Sequence, residues 1–226
     1  MPRGSVRSIP FDRVLWIELG EALVLGWLVV RFSEAGRLQS ETVFFQSSGR
    51  HHFETAVRAL RSRQPGAPLG KGGAAPGWLA VDSASPPYLR NELPGLVLAH
   101  ERALVVLRSA ERWGPEEGRR GKSHRCLNPS AVAALSDRAL FLVESERPSE
   151  PGGLVFGVNA IVVERNTIRE SRVERKVVGD TTVSRLVVEI RVGGRTGQLN
   201  VPFDEEFGAA ARSATEMLGA RSVATS

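Results

Sequence analysis

A single cysteine, Cys126, in 226 residues excludes a disulfide framework within the chain and any zinc site built from several thiolates. Lysine is nearly missing: three (Lys71, Lys122 and Lys176) stand among 30 basic residues. The net charge of +5 therefore reflects an arginine-rich composition beside 23 glycines, and it is weak evidence for a polyanion partner. Aromatic residues make up only 6%, and none interleaves with the densest run of cations as it would in a base-stacking platform. No membrane span is expected, because the longest apolar stretch, Val14 to Val30, is broken by Glu18, Gly20 and Glu21, whereas a span needs about 20 predominantly apolar residues. Arg3 and Arg7 are followed by Pro10 and Asp12 without an apolar core, unlike a secretory signal, so the cytoplasm is the expected compartment. No G-x-S-x-G, Walker A or dinucleotide fingerprint occurs; the glycines of Gly66 to Gly72 lack a preceding strand and a Ser or Thr after the Gly-Lys pair.

What is present is a globular chain, 42% hydrophobic and 24% charged, long enough for one medium domain or two small ones. Gln64 to Pro87 is dense in Gly, Pro, Ala and Ser and reads as a linker. Arg112 to Pro129 and Ser145 to Gly153 read as further loops. Before the linker, Arg13 to Leu19 and Ala22 to Phe32 form an expected hairpin about Gly20-Glu21, and Thr42 to Gln46 is a third strand. A helix follows to Arg63, with Ser47 and Ser48 as N-cap candidates and Phe53, Val57 and Leu60 on its apolar face.

After the linker, strands are expected at Ala103 to Leu107, Val132 to Leu135, Ala139 to Val143, Ala160 to Val163 and Ser171 to Val178. Leu186, Val188, Ile190 and Val192 alternate with Arg185, Val187, Glu189 and Arg191, the pattern of a half-buried strand. Gly193-Gly194 turns it back into Thr196 to Val201. A helix from about Asp204 to Leu218 carries Phe207, Ala210, Ala211, Ala214, Met217 and Leu218 on one face and ends at Gly219. Each half thus has strands closed by one helix, which suggests an internal duplication with offsets of 154 to 156 residues.

The stretch from Ala103 to Leu218, with ALSDRALFLVES at Ala134 to Ser145 and FGVNAIVVERNTI at Phe156 to Ile168, resembles uncharacterised bacterial pleckstrin-homology-like (PH-like) proteins. The resemblance implies a mainly β fold with α: a PH-like barrel of two orthogonal antiparallel sheets capped by a C-terminal helix. It is preceded by a partial PH-like half, similar only to the last strands and helix of that fold. The implied organisation is residues 1–63 as the partial half, 64–88 as linker and 89–226 as the PH-like domain. The missing strands of the first half would leave an unpaired sheet edge, to be covered by another chain, by the second half or by an upstream piece.

Functionally, the excess positive charge lies before residue 128, and its densest point is Arg119, Arg120, Lys122 and Arg125 with His124 among them. In lipid-binding PH domains phosphate ligands come from the loop between the first two strands, where this run falls. Arginine and lysine suit phosphate by charge and hydrogen bonding, although Glu116 and Glu117 oppose the field; an ordinary solvated loop is the competing reading, and Arg58, Arg61, Arg63 and Arg221 are arginines elsewhere in the chain whose neutralisation serves for comparison. Cys126 with His124 lacks an orienting third group for a nucleophile, and adjacent His51-His52 diverge too far on a helix to chelate one metal. The expectation is a non-enzymatic binding or scaffolding module without cofactor or metal. Its partner is a protein, including a second copy, or an anionic membrane surface; the alternatives are a nucleic-acid-associated protein, and less favoured still, a hydrolase.

Overall fold

The computed structural model describes residues 8–63, 92–98, 101–115, 124–148, 150–151, 153, 155–192 and 195–219. They form a mainly β structure with two helices. Strands β1 (Val14–Ala22), β2 (Leu25–Glu34) and β3 (Arg37–Gln46) make an antiparallel meander that leads into helix α1 (Arg50–Ser62). Strand β4 (Ala103–Ser109) is followed by a two-stranded hairpin of β5 (Arg112–Pro115) and β6 (His124–Asn128), then β7 (Ala131–Ser136), β8 (Ala139–Ser145) and β9 (Gly157–Glu164). A second meander, β10 (Ile168–Val178), β11 (Thr181–Val192) and β12 (Arg195–Phe203), leads into helix α2 (Gly208–Gly219).

The order of strands in the main sheet is β3-β2-β1-β9-β8-β7-β4, and β10-β11-β12 form a separate sheet. No closed barrel forms among the described strands. The second half covers the open edge of the first: β1 pairs with β9 from Trp16↔Val163 to Ala22↔Gly157. The element order repeats, because a 3-10 turn at Phe11–Arg13 or Arg165–Thr167 precedes each meander and another, at Ser47–Gly49 or Glu205–Phe207, precedes each helix.

The seven-stranded sheet is the middle layer. On one face Leu15, Leu107, Leu135, Leu140, Leu142 and Val163 pack against Leu186, Val188, Ile190, Val201 and Phe203 of the second sheet and against Ala211, Ala214 and Leu218 of α2. On the other, Ile17, Leu19, Leu28, Phe141, Val143 and Val162 pack against Val57 of α1 and against Leu93 and Leu96. This double cover explains why β7 and β8 are continuous apolar runs instead of alternating ones.

Several sequence expectations shift for identifiable reasons. The first hairpin turns at Leu23-Val24, with Leu23 at φ 55°, not at Gly20-Glu21. Gly20 serves space rather than a turn, since a Cβ there would lie 2.3 Å from Cε2 of Trp27, whose ring crosses the strand. Ser47 and Ser48 sit in the 3-10 turn and make no capping bond; Gly49 precedes the helix. The segment read as a loop from Arg112 to Pro129 contributes both strands of the β5–β6 hairpin. Strand β3 starts at Arg37, five residues before the apolar Thr42 to Gln46 run, as the second arm of a hairpin through Ala35 (φ 48°) and Gly36 (φ 72°).

Helix α2 buries Gly208, Ala211, Ala214 and Leu218, while Phe207 and Met217 are half-buried against the same core. Phe203, by contrast, is 2% exposed. Phe203→Ala is therefore expected to cost about 3 to 5 kcal/mol and Phe207→Ala clearly less. Urea melts that ranked the two the other way would refute this placement of the helix.

Arg61, one of the comparison arginines, is fully buried and so is unsuited to that use. Its Nη2 and Nη1 donate to the two oxygens of Glu101 at 2.8 and 3.0 Å, its Nε to Glu164 at 2.7 Å, and its Nη1 also to Leu96 O at 2.6 Å. Its guanidinium lies 4.7 Å from the ring centroid of Phe141. Burial alone would lower its pKa, but the hydrogen bonds and charges of Glu101 and Glu164 raise it instead. The arginine thus stays charged and joins α1, Leu96, Glu101 and the end of β9.

Candidate functional site

Arg119, Arg120 and Lys122 lie outside the described residues, as do Glu116 and Glu117. His124 and Arg125 open β6 and are exposed, opposite Pro115 and Gly114. The fold brings two further arginines into the neighbourhood of Arg125. Arg185 of β11 is half-buried and donates to Leu127 O at 3.0 Å and Asn128 Oδ1 at 3.3 Å. Its pKa is lowered by burial and then by the positive charges of Arg147 and Arg125. Arg147, which follows β8, and Arg185 of β11 are distant from Arg125 in sequence, so no local run groups them with it. Among the described residues none of the three has a carboxylate within ion-pair distance.

The cysteine is no activated nucleophile. Cys126 is buried, its thiol donates to Asn128 O at 3.1 Å, and burial followed by the charge of Glu111 raises its pKa; a thiolate would be needed for attack. Among the described residues there is no group of three or more His, Cys, Asp or Glu able to hold a metal ion.

Beside β5 lies a cleft of about 440 Å³, and its sign is opposite to a phosphate site. Asp180, Asp204, Glu205 and Glu206 line it against the single Arg112. Asp204 is already engaged, accepting from Ala110 N at 2.9 Å and from Arg112 Nη2 at 2.8 Å.

The outer edge of β3 is an unpartnered backbone feature among the described residues. The sheet ends there, and no described strand pairs with its far side. The other end of the sheet is treated differently: β4 is tied to the second sheet through Asp204 N, which donates to Arg108 O at 2.7 Å. Because Glu34 and Arg37 close a two-residue hairpin, alternate residues turn their N–H and C=O away from β2, namely Leu38, Ser40, Thr42 and Phe44. A free edge of ten residues is a template for another strand.

Its side chains suit that role. Phe44 is 65% and Val43 49% exposed, and Arg37 and Glu41 are the strand's only charges. The apolar surface continues past the end of the strand, where Leu23 and Val24 are 72% and 78% exposed and Phe156 is 55% exposed. This tip is held in place by Leu23 N donating to Phe156 O at 3.2 Å and Ser47 N donating to Val24 O at 3.0 Å. Apolar exposure gathered at one end of the sheet marks an interaction site more often than isolated exposed residues do. Periodicity could not single it out, since a strand of mixed polarity such as RLQSETVFFQ has no buried face to impose alternation.

Against known proteins the chain stands alone in three respects: no family model matches it, and neither a curated protein nor a solved structure does. Among the described residues no helix is long and apolar enough to cross a membrane.

Proposed function

We propose that this protein is a non-enzymatic binding module that engages a protein partner by strand addition on β3, with the apolar tip at Leu23, Val24 and Phe156 as the adjoining contact. The observation that carries this reading is the ten-residue edge of β3, which no described strand pairs, with exposed Phe44 on it. Main-chain hydrogen bonds from the edge give affinity in such complexes, and pockets for alternate side chains give specificity. A PH-like architecture from β4 onward fits the same reading. The order is a four-stranded meander of β4, β7, β8 and β9 interrupted by the β5–β6 hairpin, then a three-stranded meander and a helix.

The test is a photo-reactive amino acid at position 40, another outward position of the same edge, in cells, read as a discrete protein adduct. Thr42→Pro removes an outward N–H while leaving the β2 ladder intact, since proline is tolerated on edge strands. It is expected to abolish the adduct without lowering the melting temperature. Phe44→Glu should weaken it by placing a charge in the contact. An adduct unchanged by both substitutions, or no protein adduct together with salt-sensitive binding to anionic vesicles, would replace this reading by the membrane one. In that case Arg125, Arg147 and Arg185 are the residues to neutralise, each worth about 1 kcal/mol near an anionic surface.

A further inference from the structure

A second feature, independent of the β3 edge, lies on the face of the main sheet. Register places Trp27 opposite Gly20, Gly20 opposite Asn159, and Asn159 opposite Glu144, so these four form one row across β2, β1, β9 and β8. Trp27, Asn159 and Glu144 share a cleft of about 220 Å³ with Ser145, Glu146 and Arg147. Gly20 lets the indole lie flat over β1.

The cleft holds polar groups without protein partners. The Oδ1 atom of Asn159 is buried and accepts no hydrogen bond among the described residues. Glu144 is half-buried and makes no hydrogen bond or ion pair there. Its pKa is raised, first by burial, with Arg147 opposing and Glu18 adding to the rise. A buried carboxylate without a hydrogen-bonded counter-ion is costly, and unmade buried acceptors call for an explanation.

We infer that this cleft is a binding site for an organic cation, a guanidinium or primary ammonium group, held between the Trp27 ring and the acceptors of Asn159 and Glu144. The indole face attracts a cation by its quadrupole, and in the lining the two carboxylates of Glu144 and Glu146 outnumber the one cation, Arg147. A guanidinium presents several donors in one plane, matching acceptors on neighbouring strands. The volume is below that of drug-sized sites, about 300 Å³ and upward, so the cleft takes one side-chain-sized group. An arginine or lysine side chain of a protein and a free diamine offer the same chemistry.

The experiment is calorimetric titration of the whole protein with acetyl-arginine amide, its neutral isostere acetyl-citrulline amide, and putrescine. Millimolar-range binding of the arginine derivative is expected, with the citrulline derivative roughly tenfold weaker or worse, as loss of a charge-assisted hydrogen bond implies. Putrescine binding as well as the arginine derivative would point to a free amine; preference for the arginine derivative would point to a protein side chain. Glu144→Gln should erase the discrimination between arginine and citrulline, and Trp27→Ala should weaken both cations. Glu205→Gln, in the other acidic cleft, should change nothing. Equal binding of arginine and citrulline derivatives, discrimination that survives Glu144→Gln in a variant with an unchanged melt, or no binding at all would overturn the proposal.

Discussion

Replacing Arg61 by alanine is expected to cost about 3 to 5 kcal/mol of folding free energy, the usual loss when one partner of a buried ion pair is removed. The reason is the state of what remains. Glu101, 1% exposed, and Glu164, 7% exposed, would be left buried without their counter-charge, and Leu96 O would lose a donor. Arg61→Lys should recover only part of the loss, because one ammonium cannot reproduce the paired contacts to Glu101 together with the Nε contact to Glu164. Glu101 also accepts from Ser136 Oγ at 2.6 Å, and Ser136 in turn receives Ala139 N at 2.8 Å at the β7–β8 turn. Loss of the arginine should therefore loosen that turn too, visible as faster amide exchange at Ala139. Urea melts showing a loss of less than about 1 kcal/mol, as for an exposed ion pair, would refute this account of the network.

The same residue shows how far the sequence can be read. The helix at α1 was legible from Phe53, Val57 and Leu60. Arg61 follows Val57 by four positions and so shares its face, a signal that a reading of charge as surface overlooks. The alternating strand from Leu186 to Ile190, in which the structure also buries Val187 on the face expected to be outward, and strands buried on both faces, such as Ala139 to Val143, announce themselves because a core imposes a pattern. Edge strand β3 buries little, and only its apolar end, Thr42 to Gln46, was legible; β5 and β6, of four and five residues, are too short to show a period, although β6 buries Cys126, Leu127 and Asn128. The junction of the halves was open to three solutions in sequence, and the β1–β9 ladder resolves it by pairing residues more than a hundred positions apart. For the same reason neither the Trp27–Asn159–Glu144 row nor the grouping of Arg125 with Arg147 and Arg185 was visible: both are products of register. The run Arg119, Arg120 and Lys122 was conspicuous in sequence, but its loop lies outside the described residues.

Raising the pH from about 5 to 8 is expected to destabilise the fold through Glu92, whose carboxyl is pushed up to about 7, first by burial and further by Glu21 and Glu54, against the pull of Arg50. Glu92 is paired with Arg50, which also meets Glu54 at 2.9 Å and Glu21 at 3.5 Å. One guanidinium therefore serves three carboxylates, and the most buried of them holds its proton longest. Because the folded-state pKa lies above the unfolded value of 4.5, the folded protein binds the proton more tightly. The stabilisation is complete below about 4.5 and is lost as the pH rises through about 7. Over that window the change amounts to about 3 kcal/mol at most. Glu92→Gln mimics the protonated form, so it should match the natural protein at pH 5 and exceed it in stability at pH 8. The effect has a location as well as a size. Glu92 anchors the segment that buries Leu93 and Leu96 against the α1 face of the sheet, so the amides of Leu96 and Val97, both bonded to Leu93 O, should lose exchange protection at high pH in the natural protein and keep it in the glutamine variant. Parallel stability curves for the two proteins across this range would mean that Glu92 titrates alike in the folded and unfolded chains, and that Arg50 fully compensates its burial.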